Sequence, residues 1–199
     1  HLILVNLFKS DLPRLLVSGL MFFLSLGGFL LFSLRRDEKV FLAYGFLALS
    51  GGIYILSQAQ VRLFLFDYPL LLTHVELWSL QITMLALCHF VEQMFGQGPG
   101  RILYLLRQLQ WLYLFGSALA VALFAVPLLK TLFPVQMLLF CDALLTVGLP
   151  LYYSFRGNVE ARIFAIGFLG AGTIAVHDVF VALGWLSRSQ PKLGHIGYA

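Results

Sequence analysis

Clusters of charge divide this sequence into apolar runs of about 20 residues, the length a helix needs to cross the hydrocarbon of a bilayer. Few folds accept such a pattern. In lipid the backbone must satisfy its own N–H and C=O groups, so a run of this length reads as a helix. Composition agrees: 60% of residues are hydrophobic and 11% charged, where soluble domains carry about 25% charge, and mean hydropathy is +0.91. The chain reads as an integral membrane protein with the lipid bilayer as its first partner.

The first run covers about Leu12 to Leu34 and stops at Arg35-Arg36-Asp37-Glu38-Lys39. The second covers about Val40 to Val61, followed by a connection from Arg62 to Tyr68. Pro69 suits the first turn of a third helix, where its missing N–H is harmless, and that helix reaches about Met94. Gly96-Gln97-Gly98-Pro99-Gly100 breaks the pattern. A fourth run gathers from about Leu109 to Leu129, a fifth from Val135 to Phe155, and a sixth from Ile163 to Leu186. The chain turns apolar again at Leu193 and stops at Ala199, too soon to cross. The expected fold is all-α: a polytopic transmembrane helix bundle of six complete spans plus the start of a truncated seventh. Residues 1–11 read as an extracytoplasmic juxtamembrane segment and 12–199 as the membrane domain. A start at His1 without Met or a signal-peptide pattern reads as a processed or excised segment.

Lys and Arg on alternate sides set orientation. Arg35, Arg36, Lys39, Arg101, Arg107, Arg156 and Arg162 fall on one side; Lys9, Arg14, Arg62, Lys130, Arg188 and Lys192 fall on the other. The richer side reads as cytoplasmic, which places the N-terminus outside. Spread through short connections, these charges form no nucleic-acid patch despite a net charge of +4. Cys88 and Cys141 fall mid-span and form no disulfide framework or metal motif. In the sixth span Gly167, Ala171 and Ala175 recur every four residues and predict close packing against a neighbour. Pro127 and Pro150 are expected to kink their spans. There is no internal repeat of the kind that marks many transporters.

Polarity concentrates in the third span. At 100° per residue, His74, Trp78, Gln81, Cys88 and Glu92 lie within about 40° of one line, whereas Glu76 lies about 200° from His74 and needs a different partner. Ionisable groups inside a membrane are costly and mark functional sites by default. Asp142 in the fifth span and His177 and Asp178 in the sixth join Glu76 in the outer half to the middle of the membrane. Two readings fit: a polar cavity open to the outside that binds a small ligand, or buried hydrogen bonds that fix helix register, such as Asp142 with His177. The candidate ligand-binding or signal-coupling residues are Glu76, His74, Trp78, Gln81, Asp142, His177 and Asp178.

Catalytic chemistry finds no support, and no cofactor is expected. His74 and His89 stand about 22 Å apart along a helix, and no histidine pair has metal-ligand spacing. Cys88 and His89 project about 100° apart and do not form a nucleophile–base pair. Lys130, the most deeply placed lysine, lies at a helix end, so a Schiff-base lysine is left only to the truncated seventh span; no phosphate-binding loop or kinase signature is present.

The stretches SLRRDEKVFLAYGFLALSGGIYIL, THVELWSLQITMLALCHFVEQMFG and SFRGNVEARIFAIGFLGAG resemble the membrane domain of bacterial seven-transmembrane receptors with diverse intracellular signalling modules. The resemblance runs from about Leu12 and includes Arg35-Arg36-Asp37 and Glu160-Ala161-Arg162. It implies a receptor of the bacterial inner membrane that takes its signal from an unknown small molecule or an extracytoplasmic sensor domain. It further implies a C-terminal cytoplasmic output module, a histidine kinase, diguanylate cyclase or other cyclase, that would hold two copies together as a homodimer. The competing expectation is a small-solute transporter or channel with a polar path along the third helix.

Overall fold

The computed structural model describes residues 2–59, 68–124, 132–167 and 180. Every regular element among them is helical. Helix α1 spans Leu2–Leu34, α2 Lys39–Ser57, α3 Pro69–Phe95, α4 Ile102–Phe124 and α5 Leu132–Phe155. A 3₁₀ turn at Pro99–Arg101 precedes α4, and residues 159–167 begin a further helix. Four stretches are long and apolar enough to cross a membrane: Asp11–Leu34, Lys39–Ser57, Leu71–Phe95 and Phe133–Phe155. The described part of α4 is not among them, because Arg107, Gln108 and Gln110 occupy its first half. The chain divides into two compact units, His1–Phe90 and Val91–Ala199.

The first unit is built on the α1–α2 pair, and its helices are inside out relative to those of a soluble protein. On α1, Leu16, Leu20, Phe23, Leu30 and Leu34 are exposed, while Asp11, Ser18 and Ser25 recur every seven residues and are buried. Lipid tails are as apolar as leucine, so association between helices depends on close packing and hydrogen bonds. Both are present. A Cβ on Gly28 would stand 3.0 Å from the backbone of Gly45, and one on Gly45 would stand 2.9 Å from the Phe29 ring. Phe29 packs edge-on against Phe46 at 5.3 Å, and Ser18 Oγ donates to the Gly52 carbonyl at 3.0 Å.

The small-residue contact therefore sits between α1 and α2. The close packing expected of the sixth span lies outside the described residues except at Gly167, where an added Cβ would meet nothing within 4 Å. Helix α1 runs unbroken from Leu2, through the stretch read as a juxtamembrane segment. Asp11 is 0% exposed there; Arg14 Nη1 donates to its carboxylate at 3.0 Å and reaches the Gln58 carbonyl beyond the end of α2 at 3.4 Å. One guanidinium thus neutralises a buried acid and meets the negative end of the neighbouring helix.

In the second unit, α4 buries Leu103, Leu106, Gln110 and Ser117, and α5 buries Val135, Asp142, Thr146 and Leu149. Each set follows helical spacing and forms one seam. Pro150 lies within α5, which continues to Phe155; Pro127 is outside the described residues. Helix α5 ends where Gly157 adopts φ +90°: its N–H donates to Ser154 O, and Asn158 N–H donates to Tyr153 O, the pairing of a Schellman cap. Asn158 then caps the next helix by accepting from the Ala161 N–H at 3.1 Å. One Gly-Asn pair ends one helix and starts another.

Gly28→Val is expected to destabilise the protein by about 2 kcal/mol by forcing α1 from α2. Gly27→Val, with nothing within 4 Å of its Cβ position, should change the detergent melting midpoint little. Equal midpoints for the two variants would rule out this close contact.

Candidate functional site

Helix α3 is buried on most sides, with Leu71, Val75 and Ile82 as its exposed strip. Trp78 and Gln81 stand three residues apart and share a face. Gln81 is 7% exposed. Its amide oxygen and nitrogen, together with the Trp78 indole N–H, are buried without a hydrogen-bond partner among the described residues. The hydroxyls nearby do not serve them. Ser79 Oγ donates to Glu76 O at 3.0 Å and Thr83 Oγ1 to Ser79 O at 2.7 Å, which turns both back onto their own helix. His74 and Glu76 are half-buried one turn earlier, on different sides of α3.

Further along α3, Cys88 is buried and Glu92 is 8% exposed. Glu92 accepts a charge-assisted hydrogen bond from Arg107 Nη1. Arg107 also lies over the Tyr104 ring, 5.5 Å from its centroid. Between them the chain reverses through Gly96, Gly98 and Gly100, all at positive φ, and the Gly96 N–H closes α3 on Glu92 O at 2.9 Å. Sequence spacing assigned Arg107 to the connection before a fourth span starting at Leu109. The structure corrects this: α4 begins at Ile102, so Arg107 is a helical residue facing the α3 end. The missed signal was the apolar run Ile102-Leu103-Tyr104-Leu105-Leu106, which already repeats at helical spacing.

In the second unit Asp142 is 1% exposed. Thr146 Oγ1 donates to its main-chain oxygen at 2.7 Å, and the Gln110 side chain on α4 faces its carboxyl. Neither atom of the Gln110 amide, nor Asp142 Oδ1, completes a hydrogen bond among the described residues. Gln110 was not singled out by its sequence, because a glutamine in a loop-like run of Arg107, Gln108 and Gln110 reads as surface. His177 and Asp178 lie outside the described residues, as does the expected register bond from His177 to Asp142. No group of three or more His, Cys, Asp or Glu side chains arranged to hold a metal occurs among the described residues.

Long helices that turn large apolar side chains outward and bury Asp, Glu, Gln and Ser define a helical membrane protein whose interior polarity is kept for internal use. The chain matches the family model for 7TM diverse intracellular signalling over residues 11–198, and it belongs to that family. It is a membrane sensor domain, of a family that is not itself catalytic. No curated protein and no solved structure matches the chain.

Removing one partner of a buried ion pair leaves the other charge stranded. Arg107→Gln is expected to cost about 3 kcal/mol and Glu92→Gln about 1–2 kcal/mol, because Glu92 is the more buried of the two. The double variant should cost less than the sum. Strict additivity in detergent melts would show that the pair contributes nothing.

Proposed function

We propose that this domain relays an extracytoplasmic signal to a C-terminal cytoplasmic output module, a histidine kinase, diguanylate cyclase or other cyclase. In this reading the domain crosses the bacterial inner membrane with its N-terminus outside, through six complete spans and the start of a seventh at Leu193. Two copies pair through their output modules. The signal is a small molecule or the state of an outer sensor domain.

The observation that carries this reading is the Trp78–Gln81 face of α3. A buried polar group without a partner costs free energy in the state that leaves it so. A second bundle arrangement, or a bound signal, that satisfies those groups gains that energy back. Relay requires such a difference between two states, since a signal shifts an equilibrium only by its differential affinity for them. Helix α3 combines this outer-half face with an inner end fixed by Glu92 and Arg107. Movement at one end is therefore delivered to a fixed point at the other.

Glu92 also bears on the transport alternative, which needs a wet path from Gln81 to Glu92. Glu92 is buried and committed to Arg107, which favours relay over conduction.

Accessibility separates the two. In full-length protein with Cys141→Ser, relay predicts that half-buried His74→Cys reacts with an impermeant maleimide from outside only, and that buried Gln81→Cys and native Cys88 react from neither side. Labelling of Cys88 from both faces would make α3 a conduction path and end the relay reading.

A further inference from the structure

Aromatic rings gather one end of the second unit. Phe95, the last residue of α3, stacks on Tyr153 of α5 at 6.1 Å and meets Phe164 edge-on at 5.2 Å. A Cβ on Gly98 would stand 3.2 Å from Leu149, so the turn before α4 lies against α5 as well. The end of α3, the Gly96–Arg101 turn, the end of α5 and the helix that starts at Val159 therefore share one end of the unit. Three exposed arginines come with them: Arg101, Arg156 and Arg162.

These arginines differ from the two that are paired with buried acids, Arg14 and Arg107. No carboxylate pairs with Arg101, Arg156 or Arg162 among the described residues. Arg156 lies instead over the exposed Tyr152 ring, 4.6 Å from its centroid, a stacking that steadies the guanidinium and leaves its N–H edge for another partner. Arg162 stands in apolar company. Val159, Ile163 and Ile166 are 65–73% exposed, and with Arg162 they follow the i, i+3, i+4, i+7 spacing of one helix face. Phe155, beside Arg156, is 89% exposed. In a bilayer such a face meets acyl chains, and a long basic side chain within it extends to the headgroups. Tyrosine occupies the same level.

We propose that this end of the second unit binds an anionic phospholipid, with Arg156 and Arg162 on the headgroup phosphate and Phe155, Val159 and Ile163 along the acyl chains. Charge selects the lipid. Across Gly96–Arg101 and Tyr152–Ile166 the sequence carries three arginines against one acid, Glu160, so positive charge is left over. A zwitterionic headgroup brings its own cation, whereas an anionic one brings an unbalanced negative charge whose phosphate oxygens a guanidinium can meet bidentately. The apolar neighbours select a lipid over free phosphate, which would gain nothing from Phe155 or Ile163. This inference rests on residence in a bilayer and on charge complementarity. It stands whether or not the domain relays a signal, and its readout is stability, so its failure and the failure of relay are distinguishable.

The test melts the full-length protein in nanodiscs of phosphatidylcholine, alone or with about one-third phosphatidylglycerol to supply an anionic surface. A ligand that binds only the folded state raises its melting point, and the rise expected in the mixed bilayer is about 2–4 °C. Arg156→Gln combined with Arg162→Gln should remove most of that rise. Arg36→Gln, in a loop that already holds Asp37 and Glu38, should keep it. Equal midpoints in the two bilayers would overturn the proposal. So would an equal loss in Arg36→Gln, which would mean diffuse attraction to the surface, or the same rise from inorganic phosphate in phosphatidylcholine alone, which would mean a free-anion site. If the double variant does not fold, native mass spectrometry of the wild type replaces it: retention of phosphatidylglycerol in preference to phosphatidylcholine is expected, and equal retention of the two would overturn the site.

Discussion

Hydrocarbon offers no hydrogen bonds, and this constraint orders the whole molecule. Among the described residues backbone groups are satisfied within helices, as hydrocarbon requires. Side chains then sort by a rule opposite to that of soluble proteins. Large apolar residues of α1, such as Phe23 and Leu34, face outward, and the space between α1 and α2 is given to Gly28, Gly45, Ser18 and Gly52. Among the described residues, two of the three buried acids are held by an arginine. Arg14 holds Asp11 and Arg107 holds Glu92, whereas the exposed Arg35–Glu38 pair at 3.2 Å adds little because water screens it.

Against this rule the exceptions carry information. Trp78, Gln81, Gln110 and Asp142 keep buried polar atoms without partners among the described residues. A bundle selected for stability alone would place apolar side chains there, since well-packed replacements are often neutral or better. Under the proposed relay, such groups suit a two-state device: satisfied in one arrangement and strained in the other. Helix α3 carries the first pair and also Glu92, and ends at Phe95 just before the Gly96–Arg101 turn.

Much of the helix pattern was legible in the sequence because charge clusters and glycines punctuate it. Leu34, Lys39, Pro69 and Phe155 stand at or within a residue of the expected ends of α1, α2, α3 and α5. The stripe through Trp78, Gln81, Cys88 and Glu92 followed from angle alone. What stayed hidden were partnerships. Arg107 read as a loop charge because arginine inside an apolar helix is rare, and its partner Glu92 lies 15 residues away, across a turn that periodicity cannot fold. Asp11 read as part of an outer segment; it is buried and paired with Arg14, which also reaches Gln58, a contact set by how two helices pack. Gln110 gained meaning only when α4 placed it against Asp142.

Under the proposed relay, buried polarity on α3 serves signalling at the expense of stability. Gln81→Met, nearly the same shape without the amide, tests this most directly when melting and output are measured on the same full-length protein. The account predicts that the variant melts higher, gaining about 1–2 kcal/mol, while the signal-dependent change in output falls by about fivefold or more. A variant that melts lower and signals normally would contradict it, and would make Gln81 an ordinary packing contact.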